Sequence, residues 1–401
     1  MEGSPPSLAE PPDPTSGALH FSGQYKSLDA WRGLAALCVV FCHAVVPAVT
    51  GPYPGLRHLA FYHWCMQGYL GVQLFFVISG FCIANAAARL AQRPQGVRLF
   101  FLARLRRIYP PYLLVSLLTV ALSLSAALLV RHHLLPTSEI ARLDFFHQNF
   151  RYYFAALTLT QFSLGTKPLL AVFWTLCYEI SFYAIVGIAM ALFARRTSGV
   201  MFHILHSLTL LCLVAQIVSP HTQIFPLNLY PQFGLGILVY AMLAHPASKS
   251  TKAYLIMSLL LMGIYGALGS RNLGGGKWTR CQSFMALGFA LLLLVLYRFD
   301  ARLTKLIPVR ILSWVGIFSY SLYLTHLLGM GLVLQAGRRF GISETTYWIS
   351  FILQILVSVA VARVLFQFIE RPFLGSKRSE KPAQSFAADA PAHKLLEVGS
   401  H

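Results

Sequence analysis

Apolar residues in this chain are gathered into runs of about twenty, separated by short polar or basic segments, and the runs themselves carry almost no charge. A run of that length matches a helix crossing a hydrocarbon layer about 30 Å thick. Ten spans are predicted, over residues 28–49, 68–90, 109–130, 169–193, 200–218, 224–244, 253–269, 281–299, 311–336 and 346–369. The expected fold class is therefore all-α, a polytopic membrane protein with about ten transmembrane helices. Residues 139–163, "EIARLDFFHQNFRYYFAALTLTQFS", open too polar to span and are read as interfacial.

Composition agrees with the pattern. The 401 residues are 56% hydrophobic and 11% charged, and mean hydropathy is +0.62. A soluble domain carries about a quarter charged residues. Residues 1–24, with "SPPSLAEPPDPTSG", read as a disordered N-terminal tail, and 375–401 as a flexible cytoplasmic tail. The membrane domain expected between them covers residues 25–374. No basic stretch, short apolar core and cleavage site precede the first span, so that span is expected to remain as an anchor.

The net charge of +19 raises nucleic acid as a partner. The basic residues sit between apolar runs, however, and no nucleic-acid motif is present, so nucleic-acid binding is not expected. With ten spans both termini share a side, and Lys and Arg favour that side by about two to one. The richest segment is "RLAQRPQGVRLFFLARLRR", residues 89–107. The expected location is the plasma (inner) membrane, multi-pass, with both termini cytoplasmic. None of the seven cysteines forms a CxxC pair, and most read as small apolar core residues. Cys65 and Cys281 flank spans on one predicted face and are the one candidate disulfide. The histidines show no metal-ligand spacing, so no metal is expected.

Ionisable groups inside a bilayer are costly and mark function. Arg32 and His43 lie eleven residues apart on the first span, which at about 100° per residue puts them on one face, about 16 Å apart along the axis. Asp29 can pair with Arg32 from the preceding turn. Glu179, in "FWTLCYEISFY", is the acid deepest in any span. Counted from an outer start near Leu169 it falls about 15 Å in, at a depth where it can meet His43. A carboxylate beside an imidazole fixes its tautomer and raises its basicity, as a general base requires. The plainer alternatives are a snorkelling arginine, a histidine bonded to a neighbouring helix, and a protonated carboxyl bonded within the bundle.

Two further groups stand out. "ARLRRIYPPYLL" places Arg104 and Arg107 one turn apart with Arg106 beside them, and Pro110 and Pro111 are expected to break the helix. Clustered guanidiniums grip polyphosphates, though a basic loop against anionic lipid has the same composition. In "SYSLYLTH", Tyr320, Tyr323 and His326 recur every three residues, a stripe that can face a sugar or bond helix to helix. On the second span, Gln73, Ser79 and Gly80 fit close packing or a cavity wall. These features alone leave a transporter, with His43 and Glu179 relaying protons, open beside an enzyme. No internal repeat of the transporter kind is visible.

The same residues resemble acyltransferase family 3, integral-membrane acyltransferases that modify cell-surface polysaccharides and some secondary metabolites. "LDAWRGLAALCVVFCH" resembles the family's first-span pattern, "FFVISGF" its second-span motif and "RLRRIYPPY" its third-span entry. "FWTLCYEISFY" is similar to the Trp-Ser/Thr-Leu…Glu…Phe-Tyr motif, and "SYSLYLTH" and "FIERPF" to the C-terminal motifs, in order from Leu28 to Phe373.

The resemblance implies an acyl-CoA donor, often acetyl-CoA, from the cytoplasm and a hydroxyl acceptor on a glycan, exopolysaccharide or glycolipid. It implies that His43 is the essential histidine, that Glu179 is the motif glutamate, and that Arg32, Arg104 and Arg107 hold the donor. Tyr320, Tyr323, His326 and Ser79 are then candidates for substrate contact. Ile180 stands where many members carry a second glutamate, a variant closer to exopolysaccharide-modifying members. The sequence ends soon after Phe373 without the extracytoplasmic hydrolase-like domain of some members, so the membrane domain is expected to complete the transfer itself.

Overall fold

The structure, a computed structural model, describes residues 24–50, 59–133, 148–193, 198–219, 224–269, 277–340 and 344–374. The two tails lie outside the described residues, apart from Gln24. Among the described residues every regular element is a helix. In chain order these are α1 (Leu28–Thr50), α2 (Ala60–Met66), α3 (Gly71–Leu90), α4 (Gly96–Arg131), α5 (Phe150–Thr158), α6 (Trp174–Phe193), α7 (Ser198–Val218) and α8 (Tyr230–Ala244). They continue with α9 (Lys249–Gly269), α10 (Lys277–Leu296), α11 (Asp300–Leu303), α12 (Ile307–Ile317), α13 (Ser319–Phe340), α14 (Glu344–Leu365) and α15 (Arg371–Phe373).

Among the described residues, eight helices are long and apolar enough to cross a membrane. The two remaining predicted spans take other forms. The ninth is broken: α12 and α13 meet at Phe318 with a 75° bend. The span expected over 224–244 holds α8, only 15 residues long. A helix of that length rises about 23 Å, less than the hydrocarbon thickness. It is not a surface element, because its residues from Tyr230 to Ala241 are buried on every side.

Close packing explains that burial. Gly80 on α3 and Gly236 on α8 bring the two backbones together, since a Cβ at either position would strike a main-chain carbonyl of the other helix, that of Phe233 or Val77. Around this crossing the ring of Phe233 stacks on Phe76 of α3 and on Phe182 of α6, both at 4.4 Å between centroids. Such contacts supply the association that apolar burial cannot supply inside lipid.

The third span also differs from expectation. α4 begins at Gly96 and runs 36 residues, with Pro110 and Pro111 inside it. Each proline removes one backbone donor, yet the helix continues through both, and the hydroxyl of Tyr320 donates to the carbonyl of Ile108 at 2.9 Å beside them. At about 54 Å, α4 exceeds the bilayer and carries the arginine-rich segment as ordered helix.

Of the segment read as interfacial, residues 139–147 lie outside the described residues. The remainder holds the short helix α5, whose start is capped by the side chain of Asn149 accepting from the Tyr152 amide. Cys65 and Cys281 are both free thiols, so the candidate disulfide is not formed. The start of α1 is tied down by buried Asp300, whose carboxylate accepts the backbone N–H groups of Lys26 at 2.6 Å and Ser27 at 2.9 Å.

Candidate active site

One cavity collects most of the predicted residues. Its wall includes Arg32 from α1, Ser79 and Cys82 from α3, Arg104 and Arg107 from α4, and Glu179 and Tyr183 from α6. Ser319, Tyr320 and Tyr323 from the first turns of α13 close it. These residues follow directly on the 75° bend between α12 and α13. The cavity is narrow, about 70 Å³.

Its electrostatics are lopsided. Arg32 pairs with Asp29 at 3.0 Å and also donates to the sulfur of Cys82 at 3.1 Å. Arg104 and Arg107, both half-buried, have no carboxylate within ion-pair distance among the described residues. The Arg104 Nε is buried without a hydrogen-bond partner. Glu179 accepts the hydroxyl of Tyr183, one turn along its own helix, and that of Ser79 at 3.4 Å. Glu370, presented by a π-helical turn over Phe366–Glu370, is buried and accepts from Ser321 at 2.5 Å. It lies within electrostatic reach of Arg107 and Arg32. Half-buried guanidiniums that face a cavity without a close ion pair among the described residues are suited to an anionic ligand. Arg106 is exposed and does not join them.

His43 stands apart from this wall. It is half-buried on α1, its Nδ1 lies 2.9 Å from the carbonyl of Val39, and its ring centroid is 4.9 Å from that of His326. His326 is fully buried, with Nδ1 2.8 Å from the carbonyl of Tyr323. A carbonyl only accepts, so each Nδ1 carries the hydrogen and each Nε2 keeps its lone pair. The Nε2 of His326 has no partner. The Tyr323 ring follows at 5.9 Å from His326, and its hydroxyl donates to the carbonyl of Val172 at 3.2 Å while accepting from Thr175 at 3.0 Å.

The expected meeting of His43 with Glu179 is therefore corrected. Their depths along two helices do not make those helices neighbours: α6 packs chiefly on α3, α4 and α7, while α1 packs on α3, α12 and α13. His326 and Tyr323 link His43 to the cavity that Glu179 lines. The polar stripe on α13 is also redistributed. The rings of Tyr320 and Tyr323 line the cavity, but both hydroxyls are committed to backbone on other elements, and His326 turns to His43. Ser79 is a cavity residue, Gly80 serves packing, and Gln73 is buried outside the wall. Tyr183, Cys82 and Thr175 were missed as site residues. Their signal was helical spacing, one turn from Glu179 or Ser79.

Comparison with known proteins identifies the family of the chain. The profile of an acyltransferase domain family matches residues 25–366, nearly the whole of the described bundle. The chain belongs to acyltransferase family 3. Among curated proteins, this family 3 chain is similar to the O-acetyltransferase OatA of Staphylococcus aureus, 24% identical over 339 residues, covering 77% of this chain and 53% of the relative. It is also similar to the peptidoglycan O-acetyltransferase OatA of Listeria monocytogenes, 23% identical over 372 residues, covering 86% of this chain and 55% of that protein. The chain thus spans about half the length of these curated relatives. No solved structure matches it.

Proposed function

We propose that this protein is an O-acyltransferase of the plasma (inner) membrane, with both termini cytoplasmic, that moves an acyl group, acetyl above all, from cytoplasmic acyl-CoA to a hydroxyl of a glycan, exopolysaccharide or glycolipid. The observation that carries the reading is the convergence of Arg32, Arg104 and Arg107 on one narrow cavity whose far wall leads through Tyr323 and His326 to His43. The names of the relatives, O-acetyltransferases, support the reaction class.

In this reading the guanidiniums hold the donor phosphates through charge-assisted hydrogen bonds. A cavity of about 70 Å³ excludes a nucleotide, so the nucleotide stays at the mouth and the slender thioester arm enters. Ser79, Tyr320 and Tyr323 form the wall along that arm. Glu179 moderates the positive charge and, held by Tyr183 and Ser79, keeps a fixed position. The Nε2 of His43, left basic by the Nδ1 contact to Val39, takes the proton of the acceptor hydroxyl as its oxygen attacks the thioester carbonyl. The new oxygen–carbon bond replaces the carbon–sulfur bond, and the sulfur leaves with the electron pair and is protonated to free CoA.

The test is thiol release from acetyl-CoA by purified protein across a panel of glycan and small hydroxyl acceptors, wild type against His43→Ala. Release by wild type with one acceptor class, lost by at least about 100-fold in the variant while CoA still binds, is the expected result. Undiminished release by His43→Ala would remove its catalytic role. Proton flux driven by a solute, without acyl-CoA and without CoA binding, would replace the reading with a transporter.

A further inference from the structure

His43 does not line the arginine cavity, although the transfer reading needs a proton to travel from the acceptor hydroxyl to a sulfur inside it. Two side chains join the two places. The ring of His326 is 4.9 Å from that of His43, and the ring of Tyr323, which does line the cavity, is 5.9 Å from that of His326.

We infer that His326 is a positioning and proton-accepting partner of His43: its Nε2 receives the proton that His43 takes from the acceptor and returns it toward the departing sulfur. The inference rests on the acyl-transfer reading above. In the balanced step the acceptor O–H bond breaks, oxygen bonds the acyl carbon, and the carbon–sulfur bond breaks with its electron pair on sulfur. The proton passes from oxygen to the Nε2 of His43, then to the Nε2 of His326, and finally to the thiolate. Nothing is oxidised or reduced.

The hydrogen-bond pattern around the two rings selects these atoms. Both Nδ1 atoms are committed to carbonyls of their own helices, that of Val39 and those of Leu322 and Tyr323, so only the Nε2 atoms remain to exchange a proton. The Nε2 of His326 is fully buried with no partner. A buried polar atom in that state is costly. A purely structural residue at this position would be better served by an apolar ring. An imidazole retained there, beside a second imidazole, has an atom free for a transient proton.

The test compares wild type with His326→Asn and His326→Gln in acetyl-CoA thiol release. Asparagine can keep the donor to the Tyr323 carbonyl and glutamine can place a polar atom near Nε2, but neither amide takes up a proton. Both are expected to lose kcat by at least about 100-fold while the KM for acetyl-CoA changes less than about threefold. Ser358→Ala, which removes only a 3.1 Å bond to the His326 carbonyl, is the packing control and should keep wild-type turnover.

A kcat within about threefold of wild type in either amide variant, or an equal loss in Ser358→Ala, would overturn the inference. A second reading needs no variant. Wild-type kcat should fall in deuterium oxide, because the relayed proton moves in the transition state, and equal rates in the two solvents would overturn the relay. Absence of thiol release by wild type with every acceptor would instead overturn the transfer reading itself, and this inference with it.

Discussion

Tyr183 donates its hydroxyl to the carboxylate of Glu179 one turn back along α6, and Ser79 donates to the same oxygen from α3. This holds Glu179 among the guanidiniums of the cavity, away from His43. Glu179→Gln, which keeps the shape and removes the charge, should therefore tighten CoA binding about three- to tenfold, because the positive potential at the cavity rises. Calorimetric titration with CoA checks this. An unchanged Kd accompanied by slower transfer would return Glu179 to a role in catalysis remote from the phosphates.

Arg104 and Arg107 face the cavity with no carboxylate at ion-pair distance among the described residues. Replacing either with alanine should raise the Kd for CoA about 10- to 100-fold, the worth of a charge-assisted hydrogen bond. Arg106→Ala, at an exposed position, should change it little. The contrast is measured on the same titration, and equal losses at Arg106 and Arg107 would mean that only general basic charge matters.

Cys82 lines the cavity with its sulfur against Arg32, whereas Cys281 is exposed. Maleimide labelling, mapped residue by residue by mass spectrometry, should slow about tenfold at Cys82 when CoA is present at ten times its Kd, by mass action. Labelling at Cys281 should be unaffected. Equal rates at Cys82 with and without CoA would place the donor elsewhere.

The α3–α8 crossing has no room for a side chain. A Cβ at Gly236 would strike the Val77 carbonyl, while one at Gly331 meets nothing within 4 Å. Gly236→Ala should destabilise the protein by about 1–3 kcal/mol or more, the cost of overpacking against backbone, and Gly331→Ala should be near neutral. Thermal unfolding in detergent, followed by size-exclusion chromatography, measures both. Equal melting of the two variants would show that the crossing yields.

The run lengths alone determined the fold class, because a bilayer admits helices of about twenty apolar residues and little else. The sequence likewise singled out Arg32, His43, Arg104, Arg107 and Glu179, since charge in an apolar run is costly wherever the helix comes to rest. It misjudged two elements for local reasons. Pro110 and Pro111 read as a break but sit inside α4, and the span over 224–244 holds a 15-residue helix enclosed by its neighbours. Only the tertiary structure decided which charged groups meet. Helical periodicity gives a face and a depth along one axis, but not which helix stands opposite. The packing of α6 on α3 and α4, and of α1 on α13, sends Glu179 to the arginines and His43 to His326.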